Sequence, residues 1–293
     1  MPTASREPLL GSDDLVICGA TMGPAGLRAK IEAAGAAGFR GMSLWGGDRA
    51  RAHRDGLTDD DIRRMLADNG VVIAELDGLS TWLPGTEAAG VDKYGHDHPY
   101  FGHSERDFYE IADALGARSL SVNDLAHLPI TVDAAAEAFA GVCDRAAEHG
   151  LLVHIEFMAL SSISSLRQAW AVVDAAGRVN GGLLVDSWHL LRTSRVEDLA
   201  LVPPNRIFAT QFSDGSRTPR PDPWQDSADR LLPGDGELAL GDIVEWLRTS
   251  GCAAPVGIEV LNRELMLHAP DQIARACHAS LVRLLGGTVD RSR

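Results

Sequence analysis

Cysteine is scarce and scattered. The chain has four, Cys18, Cys143, Cys252 and Cys277, and no two stand at CxxC spacing. That excludes a zinc ribbon and a disulfide framework, and leaves reduced, mostly buried thiols as the expectation. Basic charge is also short. Lys and Arg number 27 against 41 Asp and Glu, a net charge of -14. A surface this acidic repels phosphate backbones and anionic membrane surfaces, so neither nucleic acid nor membrane is an expected partner. No apolar run approaches the roughly 18 residues that cross a bilayer. The opening "MPTASREPLLGSDD" carries no apolar core of a secretory signal. A soluble, cytoplasmic protein is the expectation. Low-complexity tracts, linkers and close internal repeats are missing too. Nothing therefore divides the chain, which reads as one domain over 1–293 with a flexible N-terminal tail over 1–12.

What is present is a rhythm. The chain is 45 % hydrophobic, enough for a large core, and short β-rich runs alternate with Ala-rich segments of helical period. The strand candidates are "LVICGA" (15–20), "FRGMSLW" (39–45), "VVIAELDG" (71–78), "RSLSVND" (118–124), "LLVHIEF" (151–157), "GGLLVD" (181–186), "IFATQFSD" (207–214) and "VGIEVL" (256–261). Helices are predicted from Pro24 to Ala37, after a Thr58 cap, and around 104–115. A helix of about 18 residues should follow the fourth strand and end at Gly150. Others are predicted near 164–176, 195–201, 240–250 and 270–285. Pro24 suits a first helical turn, and the aspartates after Thr58 suit a positive helix end. Apolar strands joined by helices indicate a parallel sheet. Eight such units in under 300 residues predict an α/β fold, a single (β/α)8 TIM barrel.

Two connections are long, 79–103 and 215–239. They follow the third and seventh strands, so they lie on the C-terminal face, where barrel enzymes carry their chemistry. They hold Trp82, Tyr94, His96, His98, Tyr100, Arg217 and Trp224.

Each of the last four strands ends near one metal-competent side chain: Glu156, Asp186, Gln211 and Glu259. Residues two apart share a strand face. If these four point inward, so do His154, Gly182, Leu184, Ala209 and Gly257, while Ile155, Val185, Thr210 and Ile258 face the helices. Three carboxylates converging on one barrel mouth repel strongly unless compensated. A divalent cation is the simplest compensation. Three carboxylates and an amide oxygen suit Mn2+ or Mg2+, with Co2+ or Zn2+ as substitutes.

Region 150–262 resembles the xylose isomerase-like TIM-barrel superfamily: sugar isomerases, ketose 3-epimerases, inosose dehydratases and 3-dehydroshikimate dehydratases. "GLLVDSWH", "LLPGDGELAL" (231–240) and "GIEV" carry the resemblance; the N-terminal half matches only in its strand–helix rhythm. The resemblance implies one divalent ion on Glu156, Asp186, Gln211 and Glu259, with the two glutamates as acid and base. It also implies substrate contacts from His189, three residues after Asp186, and from Arg217, six after Gln211. Gln211 stands where the epimerases typically have His, and certain bacterial 3-dehydroshikimate dehydratases have Gln there. The ends of strands two and three offer Trp45 and Asp77 rather than histidines, which disfavours the three-zinc nuclease branch. "PGDGEL" lacks the GK[ST] ending of a phosphate loop and reads as a lid-anchoring turn. His154 reads as a core or supporting residue rather than a ligand.

The expected reaction starts with removal of a proton next to a carbonyl, by Glu156 or Glu259, with the enediolate stabilised by the ion. The first reading is a metal-dependent isomerase or epimerase acting on a sugar or keto-polyol. The second is a dehydratase or lyase on a cyclic 3-keto substrate, motivated by Gln211. The third is a non-catalytic barrel that binds a ligand or partner. Exposed barrel helices often pair, which leaves a homo-oligomer open.

Overall fold

The computed structural model describes residues 10–86, 100, 102–125 and 128–286. Eight parallel strands close on themselves in chain order: β1 (Leu15–Ile17), β2 (Gly41–Trp45), β3 (Val72–Leu79), β4 (Ser119–Val122), β5 (Leu152–Glu156), β6 (Gly181–Asp186), β7 (Ile207–Phe212) and β8 (Val256–Ile258). Each pairs with its neighbour in sequence, and β8 pairs with β1. This is the predicted (β/α)8 barrel. Around it run α1 (Leu27–Ala37), α2 (Asp48–Arg54), α3 (Asp59–Asp68), α4 (Glu105–Leu115), α5 (Val132–Glu148), α6 (Leu166–Ala176), α7 (Ser187–Thr193), α8 (Pro223–Ser227), α9 (Leu240–Ser250) and α10 (Pro270–Leu284).

The main core lies between strands and helices. Val153, Ile155, Leu183, Val185 and Ile258 join it with Ile31, Phe108, Val142 and Ile273. Burying one such side chain contributes about 1.5–3 kcal/mol. Leu184 and Ala209 are buried yet stand outside that cluster, as the strand alternation requires. At Gly182 a Cβ would come within 2.6 Å of the Phe208 ring, so only glycine lets that ring pack against β6. Leu10 is buried against Val16 and Ala74. Most of the tail expected over 1–12, residues 1–9, lies outside the described residues.

Helix ends follow local chemistry. Thr58 and Ser104 each accept from a backbone N–H three residues on, and Asp61 and Asp107 return the bond. These capping boxes satisfy donors the helix leaves free. Gly38, at φ 96°, closes α1 in the left-handed region. Three elements differ from the sequence reading. The first helix starts at Leu27 rather than Pro24, after a 3-10 turn at Gly19–Met22 and the cap position Gly26. α2 was not predicted, because its cap position Gly47 makes no side-chain bond. A helix was expected near 195–201; that stretch is a 3-10 turn (Val196–Leu201), and α7 begins directly after β6. No helix among the described residues is long and apolar enough to cross a membrane.

Candidate active site

Strand register brings the four strand-end residues to one mouth. Asp186 pairs with Gln211, Glu156 pairs with Leu184, and Gln211 pairs with Gly257. The first pair is level and the other two are offset by two residues, which preserves the face. Glu259 sits one residue past β8, its N–H donating to the Phe212 carbonyl at 3.2 Å. Glu156, Asp186, Gln211 and Glu259 are all buried. One carboxylate oxygen from each of Glu156, Asp186 and Glu259 lies within 4.8 Å of the other two. The Gln211 Oε1 is buried and has no hydrogen-bond partner among the described residues. Three converging carboxylates and a stranded amide oxygen are hard donors, and this set fits a divalent cation.

Asp186 has two duties. Its Oδ1 accepts the His189 N–H at 2.8 Å, which caps α7. That bond explains the Asp–x–x–His spacing and places His189 in the first helical turn rather than in a loop. The Asp186 Oδ2 accepts from Arg230 at 2.9 Å. Burial pushes the Asp186 carboxyl up to about 6, against the pull of Arg230. His189 Nε2 lies 3.8 Å from Glu156 Oε1. Its Nδ1 faces the Ala159 N–H at 3.1 Å and its Nε2 faces Arg230 Nη2 at 3.0 Å. Burial, then Arg230, holds the imidazole well below its ordinary pKa. A neutral imidazole has one acceptor nitrogen, so the two donors compete for it.

Arg217 is not part of this group. It is exposed, and its backbone N–H donates to Glu237 Oε2 at 3.1 Å. The arginine among the acids is Arg230, fully buried. Its Nη1 donates to both Asp186 Oδ2 and Glu259 Oε2 at 2.9 Å, and its guanidinium stacks 4.9 Å from the Trp188 ring centre. Counting six residues from Gln211 misses it because a long connection intervenes. The usable signal was its place immediately before "LLPGDGEL". That turn is pinned by Asp214, whose carboxylate accepts the Gly215, Gly234 and Leu238 N–H groups at 2.8, 3.0 and 3.0 Å.

Two further groups went unread in the sequence. Cys18 and Asp77 form a second cluster with Glu259, ligand atoms again within 4.8 Å. The Cys18 thiol lies 3.2 Å from Glu259 Oε1 and 3.9 Å from Asp77 Oδ2. Burial, then the charges of Glu259 and Asp77, pushes that thiol well up, which keeps it protonated and donating. Glu75, two residues before Asp77, is pushed up to about 7, chiefly by burial. His154 is a core residue, as expected: its Nε2 is 3.1 Å from Ser119 Oγ, and burial drives its pKa down to about 3.

Above the acids lies a cavity of about 200 Å³. Asp77, Glu156, Glu259, His189 and Arg230 form its polar side, and Trp45, Tyr100, Met158, Leu160 and Trp224 its apolar side. Tyr100 meets Trp45 edge to face at 5.2 Å and is hydrogen-bonded to Asn123. A larger hollow, about 570 Å³, opens beside Ser12 and Leu15 at the start of β1. It holds one acid, Asp13, among its described lining residues, whereas Asp77, Glu156 and Glu259 converge on the smaller cavity. Of the aromatic and histidine residues read in the first long connection, Trp82 is buried and donates to the Asn123 carbonyl. Tyr94, His96 and His98 lie outside the described residues.

Comparison with known proteins agrees with this fold. A family model described as xylose isomerase-like TIM barrel matches residues 31–281. A 3-dehydroshikimate dehydratase of Pseudomonas aeruginosa is 28% identical over 250 residues, 80% of this chain and 36% of that protein. An inosose isomerase of Halalkalibacterium halodurans is 28% identical over 119 residues, 40% of this chain and 42% of its own length. The chain thus spans less than half the length of these curated relatives. Among solved structures, an IolI protein with a bound zinc atom superposes with a TM-score of 0.80 at 18% identity, covering 93% of this chain and 98% of that one.

Proposed function

The chain belongs to the xylose isomerase-like TIM-barrel family, and on that premise we propose that it is a divalent-metal-dependent enzyme that removes a proton beside a carbonyl of a small keto-polyol. One observation carries this reading: the convergence of Glu156, Asp186 and Glu259 within 4.8 Å, with the unpartnered Gln211 oxygen beside them. Mn2+ or Mg2+ fits those oxygens, and a bound ion would supply Lewis-acid stabilisation of the negative charge that develops on the carbonyl oxygen.

Glu156 is the base. It lines the cavity, and its Oε1 lies 3.8 Å from His189 Nε2. Burial, reinforced by Glu259, Asp77 and Asp186, lifts its carboxyl well above the usual range. Glu259 is held by Arg230 and the Cys18 thiol and is the second proton carrier. Delivery of a proton to the opposite face by Glu259 entering in its acid form, with the abstracted proton left on Glu156, gives epimerisation; return of the Glu156 proton to the neighbouring carbon gives isomerisation. His189 and Arg230 steady the oxygens that gain charge.

Dehydration is the second reading. It is favoured by Gln211 and by the dehydratase relative, whose match runs over 80% of this chain. Here the α-proton goes to Glu156, which passes it to the β-hydroxyl as that group leaves as water, and a double bond forms.

The test has three arms. Metal analysis of the purified protein should find about one divalent ion per chain; a metal-free, fully folded protein that gains nothing from added Mn2+ supports a non-catalytic binding barrel instead. Proton exchange in D2O with keto-polyols reports the shared first step, and ultraviolet absorbance reports an enone. Glu156→Gln should lower exchange by about 10²- to 10⁴-fold; full exchange in that variant refutes the assignment.

A further inference from the structure

Part of the cavity lining is borne on a helix too short to hold its own place. α8 (Pro223–Ser227) supplies Trp224 and Ser227 to the cavity, and the Ser227 Oγ lies 3.4 Å from Arg230 Nη2. Asp222 caps this helix by accepting the Trp224 N–H at 2.9 Å, but one turn of helix depends on tertiary contacts for its position. Arg192, in the last turn of α7, makes those contacts. Its Nε donates to Asp226 Oδ2 at 2.8 Å and its Nη2 donates to the Ser216 carbonyl at 2.9 Å. Asp226 Oδ1 accepts the Arg220 N–H at 3.2 Å. The Arg192 and Asp226 side chains are only 6% and 7% exposed. The Arg192 guanidinium also stands over the Trp188 ring, 5.2 Å from its centre, and a Cβ at Gly215 would come within 3.3 Å of its Nη2. Neither Arg192 nor Asp226 lines the cavity, so any effect they have on the chemistry passes through α8.

We infer that Arg192 and Asp226 are positioning residues of the active site: their buried ion pair seats α8 against α7, so that Trp224 meets the substrate at a fixed place and Ser227 steadies Arg230. The inference rests on the reaction proposed above. Three features support it. The planar guanidinium fork grips the connection after β7 at two points, Ser216 and Asp226, which a single point charge would not do. A buried ion pair adds little net stability over apolar groups of the same volume, but its directional bonds fix one geometry. α7 then ties that geometry to the acids: Asp186 caps its first turn, His189 follows, and Arg192 stands in its last turn. The same short helix therefore carries a strand-end acid, a residue that faces the cavity and the anchor of α8. A displacement of about 1 Å at a substrate-positioning group can cost on the order of 10²-fold in rate.

The test uses the full chain and reads seating and turnover separately. Fluorine spectra of 5-fluorotryptophan-labelled protein with Mg2+ report the seating without substrate, and Trp224→Phe identifies the Trp224 signal. Arg192→Met should shift or split that signal. Turnover is proton exchange in D2O by the Mn2+-loaded chain, with an inosose and 3-dehydroshikimate as probes. Arg192→Met should bind Mn2+ within about twofold of the wild type yet raise KM about tenfold, with kcat changed less, as loss of substrate binding requires. Asp226→Asn keeps the shape and drops one acceptor, so it should raise KM in the same way by about threefold. Arg192→Lys keeps a donor for Asp226 and should recover part of the loss. Trp224→Ala should raise KM about tenfold in the wild type but less than about twofold in Arg192→Met, because a side chain already unseated has little left to lose. An unmoved Trp224 signal in folded Arg192→Met overturns the inference. So does an unchanged KM in that variant, and so do additive effects of Trp224→Ala. If Arg192→Met fails to fold, Asp226→Asn is read for the same three outcomes. A wild type that exchanges no proton, with the Trp224 signal still moved in Arg192→Met, would instead defeat the proposed reaction and leave the seating standing.

Discussion

At Arg230 one guanidinium faces two carboxylates, one ending β6 and one just past β8, with no other described cation between them. Removing one partner of a buried ion group costs about 3–5 kcal/mol, because it leaves charge buried and unpaired. Arg230→Met should therefore lower the urea midpoint clearly in EDTA. Saturating Mn2+ should recover part of the loss, since a cation at the same acids replaces some of the missing charge. His154 makes a separate prediction. Its pKa falls from 6.5 to about 3 in the folded protein, so the folded state keeps the ring neutral while the unfolded state protonates it. The stabilisation is complete above pH 6.5 and is lost as pH falls toward 3. Between pH 7 and 5 the wild type should lose about 2 kcal/mol more than His154→Gln, at roughly 1.4 kcal/mol per pH unit below 6.5. Urea melts at the two pH values measure the difference. Asp186 and Glu156 were legible in the sequence because a lone acid ending an apolar strand is conspicuous. Arg230 was not, since its distance along the chain from Gln211 says nothing of where the intervening connection folds.

The connection after β7 is an element built on one side chain. Asp214 gathers three backbone N–H groups and forms an antiparallel bridge with Leu231, the residue after Arg230. Asn262 then donates to the Arg230 carbonyl at 2.9 Å. Asp214→Ala should leave those amides unsatisfied and free the turn that aims Arg230. The expected result is protease cleavage within 215–239 at a dose that leaves the wild type intact, together with a lower kcat/KM. Equal protease resistance would show that the turn holds without Asp214. Helices opened by Thr58 and Ser104 could be read in advance, because a hydroxyl followed three residues later by an acid states its own geometry. α7 could not, because its cap is Asp186, a residue whose strand-end position already accounted for it. α2 carries no side-chain cap at all. Asp48, its first residue, instead accepts the Trp45 N–H at 3.0 Å and pairs with buried Lys30 at 3.9 Å. Tertiary contacts of this kind leave no periodic trace.

Across the whole molecule, the barrel is both scaffold and reservoir of charge. Its pattern was legible because aliphatic residues facing the helices alternate with polar ones facing the axis, strand after strand. The depth of the acidic interior was not, because Glu75, Asp77 and Cys18 come from the N-terminal half and meet Glu259 only when β8 closes on β1. With an ion at the proposed site, that closure would link metal binding to folding. The unfolded chain separates these acids and loses both their repulsion and their shared site, so an ion that binds the folded state alone must stabilise it. The gain is about 2.7 kcal/mol at a hundred times the dissociation constant. Removing metal with EDTA should lower the melting temperature, and stepwise Mn2+ should raise it with the logarithm of free concentration. Gln211→Ala deletes a neutral oxygen that no other described group uses. It should leave the EDTA melting temperature nearly unchanged yet shift the Mn2+ titration to higher concentration. Superimposable titrations would remove Gln211 from the ligand set; a flat response in the wild type would remove the ion.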